Sequence, residues 1–110
     1  MTDRELLELA AKAAGIERGA DRFDGGISIT DITGRHRSLP KWNPLADDGD
    51  ALRLACILRI TPHIDSNLTE AEWAGRGCGG FILEPHNNDP AAATRRAIVR
   101  AAAEIGKAMK

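Results

Sequence analysis

The chain is poor in aromatic residues. It has no tyrosine, two tryptophans and two phenylalanines among its 110 residues, so much of its 43% apolar content comes from alanine. Alanine-rich helices pack closely, because the small methyl side chain of alanine lets two helix backbones approach each other. We therefore expect a small core with close helix contacts.

Cysteine and long apolar runs are also scarce. No apolar run approaches the roughly 18 residues that suggest a membrane span, and the N-terminus has no apolar stretch of the signal-peptide kind. The two cysteines, Cys56 and Cys78, lie in an apolar helical pattern and in a glycine loop respectively. Two such cysteines without a secretory signal are typical of reduced proteins. We expect a cytoplasmic protein with no membrane partner.

A strong charge of either sign is absent as well. Fifteen Lys and Arg residues stand against sixteen Asp and Glu residues, which gives a net charge of -1. The chain thus lacks the positive field by which sequence-independent nucleic-acid binders hold phosphates, and no nucleic-acid partner is expected. Its length is that of one domain, spanning residues 1–110.

Three segments have helical patterns. Thr2 and Glu5 have the spacing of a capping box, which predicts a helix over residues 3–14. Apolar residues three and four apart predict a second helix over about residues 48–59. The last helix has the clearest start, since Asp89 can cap it and Pro90 suits its first position.

Strand patterns separate the helices. Alternation in "GGISIT", residues 25–30, predicts a strand, and "TGRHRSLPKW" after it reads as a basic loop or a hairpin end. "ITPHID" predicts a strand that Pro62 confines to an edge or a strand start, and "FILEP" predicts another. "TEAEWA", from Thr69, fits a helical turn or a half-buried strand. The expected fold class is α+β, with a small, mostly antiparallel sheet of three to four strands covered by three helices in the order αβαβββα.

An acidic cluster, Asp47, Asp48 and Asp50, raises the question of a metal site. A calcium loop that starts at Asp48 would place leucines at later ligand positions and Arg59 at the twelfth, where a glutamate is required. Capping by Asp47 or Asp48, with Asp50 in the first turn near the positive end of the helix dipole, fits better. The cysteines and histidines match no zinc spacing either, so neither a metal nor a cofactor is predicted.

A Trp-Asn-Pro corner, residues 42–44, precedes this cap. Proline restricts Asn43 to extended conformations, and the Asn amide can bond nearby backbone groups, so the tripeptide suits a rigid corner. Two interpretations of Trp42 are open. It is either a plug at the edge of the core or an aromatic platform on which a base could stack.

Two further segments suggest anion binding. "GRHR" contains Arg35, His36 and Arg37, and on a loop beside Trp42 such residues either bind phosphates or are simply solvated. "GRGCGG" lacks the Lys-Ser/Thr ending of a P-loop and precedes a strand. It is a plain hairpin connection or an anion nest to which Arg76 adds charge.

A third set of residues suggests catalysis. Cys78 with His63 or His86 has the composition of a thiol nucleophile and its base, although no spacing requires this arrangement. A small hydrolase or transferase that uses His63, Asp65 and Cys78 would place these side chains within hydrogen-bonding reach in one cleft.

The second part of the chain combines three features: "WNPLADDGDALRLA", the strands after it and "NDPAAATRRAIVRAAAEIG". Together they resemble small accessory proteins of bacteriophages and prophages, namely NinX-like proteins and phage alpha-beta-alpha sandwich domain proteins. The resemblance covers roughly Trp42 to Met109. It implies a phage-type origin and an α+β sandwich, and it brings no catalytic motif.

The first functional hypothesis is therefore a phage accessory protein that is not an enzyme and acts by binding, sequestering a nucleotide signal or antagonising a host defence process. A nucleotide or other anionic ligand would contact Arg35, His36, Arg37, Trp42 and Arg76, in a pocket most easily built between two copies in a homodimer. The alternative is an interaction module for a host protein, which predicts an exposed apolar patch and no enclosed polar pocket.

Overall fold

The computed structural model describes residues 2–15, 27–30, 36–39, 42–74 and 79–109. Within these ranges lie three helices, α1 (Asp3–Ala14), α2 (Asp48–Leu58) and α3 (Pro90–Ala108), and five strands, β1 (Ile27–Thr30), β2 (His36–Leu39), β3 (Ile60–Ile64), β4 (Leu68–Trp73) and β5 (Gly80–Pro85). The predicted α+β class is confirmed. The order contains one strand more than expected, because residues 36–39, predicted as a basic loop or hairpin end, pair antiparallel with β1.

The sheet is a three-stranded antiparallel meander in the order β3-β4-β5. Residues 69–74 were ambiguous in the sequence, and all but the last of them lie in the central strand β4, because they find ladder partners on both sides. Pro62 lies in β3, an edge strand, as its missing N–H requires. β1 and β2 form a separate two-stranded ladder.

Helix α3 is the central element. It packs against α1 on one side and against all three strands of the meander on another, and it also contacts α2. Its buried residues are mostly alanines, and at Gly106 an added Cβ would lie 2.2 Å from the carbonyl oxygen of Leu9. The expected close, alanine-rich helix contact is therefore present between α1 and α3.

The apolar residues at helical spacing in α1 predict a buried stripe, and the buried face of the helix differs from it in part. The predicted stripe is Leu6, Leu9, Ala10, Ala13 and Ala14. Leu6 and Ala10 are buried as expected, but the other fully buried residues are Leu7 and Ala11, whereas Leu9 is half-buried. The buried face of α1 is therefore rotated relative to that stripe.

Side-chain caps begin all three helices. The side chains of Thr2, Asp47 and Asp89 each accept a hydrogen bond from the backbone N–H three residues further on. Of the two aspartates predicted as caps for α2, Asp47 is the one that caps it. None of the described helices is both long and apolar enough to cross a membrane.

Candidate functional site

An open apolar groove lies where α2, β3 and the first turns of α3 meet. Its volume is about 330 Å³. Each of the three elements contributes apolar side chains to the lining: Ala51 and Leu52 from α2, Pro62 and Ile64 from β3, and Pro90, Ala91 and Ile98 from α3. Several of these side chains are small or are prolines, and they do not fill the space between the elements.

Two of the wall residues are large and mostly exposed. Leu52 on α2 is 63% exposed, and Ile64 at the end of β3 is 61% exposed. β3 is an edge strand of the meander, so no further strand of that sheet covers the Ile64 side. The groove thus presents aliphatic surface to solvent from two different elements.

The charged side chains around the groove are mainly carboxylates. Asp48 is part of the lining, Asp65 follows Ile64 directly, and Asp89 precedes Pro90. The guanidinium of Arg95, which also lines the groove, donates to the Asp48 carboxylate at 2.6 Å and to the Leu45 carbonyl at 2.9 Å. Arg95 is therefore already engaged.

Two further arginines neighbour lining residues in the chain, and both are paired. Arg53 donates to Asp50 at 2.8 Å, and Arg96 donates to Asp3 at 3.1 Å. By contrast, no ion pair joins Asp65 or Asp89 to a basic side chain in the described part of the chain. The free charge at the rim of the groove is therefore negative.

A buried polar network lies beneath the groove. The hydroxyl of Thr94, a lining residue, is 2.9 Å from that of Thr69, which is itself 2.9 Å from Nε2 of His86. Thr69 and His86 are both buried. The network ties α3 to β4 and to the turn after β5, so it fixes the floor of the groove.

The Trp-Asn-Pro corner holds the start of α2, and with it one wall of the groove. The Asn43 side chain accepts from the Leu45 N–H at 3.1 Å, and the Asp50 carboxylate accepts from the Asn43 N–H at 2.9 Å. Asp50 is 6% exposed. The sequence placed Asp50 in a first turn, but its bond back to the corner was not predicted, because the bond depends on how the corner folds.

Trp42 lies in the core and is 7% exposed. Its ring is packed among buried residues of the helices, so in this structure it offers no open face for a base or another ring. The arrangement is that of a plug at the core edge, one of the two interpretations that the sequence left open.

The other predicted ligand residues cannot be placed beside a site. Arg35, Arg76 and also Cys78 of the catalytic hypothesis lie outside the described residues. His36 and Arg37 are in β2, whose backbone pairs with Thr30 and Ile29, and their side chains lie outside the described part.

Of the predicted catalytic residues, His63 has a different partner from the one expected. It lies on the face of the meander away from α3, and its Nε2 is 3.4 Å from Oε1 of Glu72 on β4. Asp65 is exposed in the turn that follows β3. His86, the other histidine considered as a base, is bonded to Thr69 inside the protein.

Comparison of the chain with protein-family models, with curated proteins and with solved structures finds no match. The resemblance to phage accessory proteins accordingly stays a prediction.

Proposed function

We propose that this protein is an interaction module, not an enzyme, and that it binds a partner protein through the groove between α2, β3 and α3. The observation that carries the proposal is the exposure of Leu52 and Ile64 on two walls of one apolar groove. Single exposed aliphatic residues are ordinary, but large ones gathered around a concave apolar surface are typical of binding sites.

The chemistry of the rim indicates what the partner presents. An apolar side chain would fill the groove, while Asp65 and Asp89, which lie next to lining residues in the chain, would attract positive charge beside it. Complementary charge raises association rates and excludes partners of the wrong sign. The proposed ligand is therefore a segment of another protein with an apolar residue flanked by lysine or arginine; for a phage-type protein, that partner is a host protein.

The groove suits a nucleotide less well. Phosphates are bound by free arginine, lysine or backbone N–H groups, and the one arginine in the lining is occupied by Asp48 and Leu45. Nucleotide sequestration through Arg35, His36, Arg37 and Arg76 stays a separate prediction that does not involve this groove.

The test is a selection of peptides from a random display library, with the purified protein as the target. We expect selected peptides to share a large apolar residue next to Lys or Arg. A synthetic peptide of that sequence should shift the methyl NMR signals of Leu52, Ile64 and Ile98, and its binding should weaken as salt is raised.

A matched pair of variants locates the binding surface. Leu52 and Ile57 are both aliphatic, both on α2 and both more than half exposed, but only Leu52 lines the groove. Burying a leucine side chain contributes about 1.5–3 kcal/mol, so Leu52→Gln should weaken peptide binding by about tenfold or more. Ile57→Gln should leave the affinity unchanged.

Three results would contradict the proposal. Selected peptides could be acidic or lack an apolar residue, the shifts could map away from the groove, or the two variants could weaken binding equally. Sedimentation velocity supplies a fourth check. If the protein is a dimer that Leu52→Gln dissociates, the groove holds a second copy of this chain, and the proposed partner is wrong.

A further inference from the structure

Three potential metal ligands meet on the face of the sheet opposite α3. The antiparallel register places His63 directly across from Glu70, and Glu72 follows on the same face two residues later. Each side chain offers one ligand atom, and these atoms all lie within 4.8 Å of one another. In the described part of the chain, this is the one group of three or more such residues.

The distance between His63 and Glu72 is that of a long direct contact, and it also suits a shared ion. Nε2 and Oε1 are 3.4 Å apart, whereas N–H···O bonds span about 2.7–3.2 Å. Zn²⁺ binds imidazole nitrogen and carboxylate oxygen at about 2.0–2.2 Å, which places two ligands of a tetrahedral site about 3.3–3.6 Å apart. The pair therefore already has the separation of two zinc ligands.

The charges around these residues also favour a cation. Glu70 and Glu72 are neighbouring carboxylates, and no ion pair joins either of them to a lysine or arginine in the described residues. Like charges side by side on a sheet destabilise it. Their neighbours on the next strand are Leu83 and Phe81, both exposed on the same face, which reduce the water available to screen the repulsion.

We propose that His63, Glu70 and Glu72 bind a divalent transition-metal ion, and that Zn²⁺ is the ion they fit best. One imidazole and two carboxylates form a mixed nitrogen and oxygen donor set, which zinc accepts. Three protein ligands leave one tetrahedral position for water or for a group from a partner, so the ion would be exchangeable. This site lies on a different surface from the groove and does not depend on the proposed function.

The test is zinc titration of the full chain, followed by calorimetry and by NMR of the histidine ring nitrogens. We expect one Zn²⁺ per chain, with the largest shift at Nε2 of His63 and none at His86, whose Nε2 faces Thr69. The NMR measurement uses the unaltered protein, so the result does not depend on whether a variant folds.

Substitutions of glutamate by glutamine, which remove the charge and keep the shape of the side chain, identify the ligands. Glu70→Gln and Glu72→Gln should each weaken zinc binding at least tenfold. Replacing a residue that only supports a metal ligand already costs about 10–100-fold in affinity, so replacing a ligand should cost at least as much. Glu104→Gln is the control, since Glu104 is an exposed carboxylate on α3 paired with Lys107. Zinc binding that both Gln variants retain, shifts at His36 or His86 in place of His63, or no binding in the micromolar to millimolar range would each overturn the proposal.

Discussion

Replacing Gly106 by alanine is the most direct test of how α1 and α3 pack. In an exposed helix interior this change stabilises a protein by about 0.8–1 kcal/mol, because alanine has the higher helix propensity. Here the new Cβ would lie 2.2 Å from the carbonyl oxygen and 2.9 Å from the carbonyl carbon of Leu9. Both atoms belong to the backbone of α1, so no side-chain rotation relieves the overlap.

The loss of unfolding free energy expected for Gly106→Ala follows from the distance by which α1 would have to move. An ordinary contact begins at 3.4 Å, which is 1.2 Å more than the distance of 2.2 Å to the Leu9 oxygen (3.4 - 2.2). A displacement of this size would open gaps beside the buried alanines of both helices. Overpacking of this kind costs about 1–3 kcal/mol, and a backbone overlap belongs at the upper end. After the gain in propensity, we expect a net loss of about 2 kcal/mol of unfolding free energy.

Gly49 in α2 provides the matched control. A Cβ there would lie 3.2 Å from the Asp47 Oδ2 that caps α2 and 3.2 Å from the end of the Arg53 side chain, so each atom would have to give by only a few tenths of an ångström. Gly49→Ala should therefore change the unfolding free energy by no more than about 0.5 kcal/mol, since the partial gain in propensity at a first-turn position opposes a small disturbance of the cap. Urea unfolding followed by circular dichroism measures both values. If Gly106→Ala is neutral or stabilising, or if both variants change stability equally, the proposed close contact is wrong.

Two further substitutions test the buried polar contacts around the groove. Asp50→Ala removes the acceptor of the Asn43 N–H and should cost about 1–3 kcal/mol in urea unfolding; an unchanged midpoint would show that the corner does not need this bond. Thr69→Val keeps the side-chain shape but leaves Nε2 of His86 and the hydroxyl of Thr94 without their shared partner, so it should cost about 1–3 kcal/mol by the same assay. A neutral result would mean that these groups find water instead.

The local elements were well predicted, because their signals lie within a few residues of one another. Thr2, Asp47 and Asp89 each bond a backbone N–H three residues away, and Pro90 occupies the first turn of α3. Such contacts form within a single turn of chain, so they can be inferred without knowledge of the rest of the fold. Strand β2 was predicted only as a loop or hairpin end, since its pairing with β1 is not encoded in its own pattern.

The candidate sites were much harder to infer. The groove combines residues from three elements. In the sequence Leu52 falls outside the apolar stripe of its helix, and Ile64 shares the apolar face of its strand, so nothing there brings the two together. Zinc motifs are recognised in a sequence by histidines and cysteines that lie a few residues apart. His63 and Glu70, by contrast, become neighbours only through the antiparallel pairing of β3 with β4. The acidic cluster, the most visible candidate in the sequence, has structural roles. Asp47 caps α2, Asp48 pairs with Arg95, and the buried Asp50 accepts a hydrogen bond from the Asn43 N–H.

By itself, the sequence determined where the three helices begin, the α+β class, and that Pro62 lies on an edge strand or at a strand start. Capping, proline geometry and hydrophobic periodicity are short-range effects, and each acts over a few residues. Only the tertiary structure decided that Trp42 is buried, that Leu52 and Ile64 stay exposed around one groove, and that His63 lies beside Glu72. Burial and the meeting of distant side chains depend on how the elements pack and on strand register, which no short segment specifies.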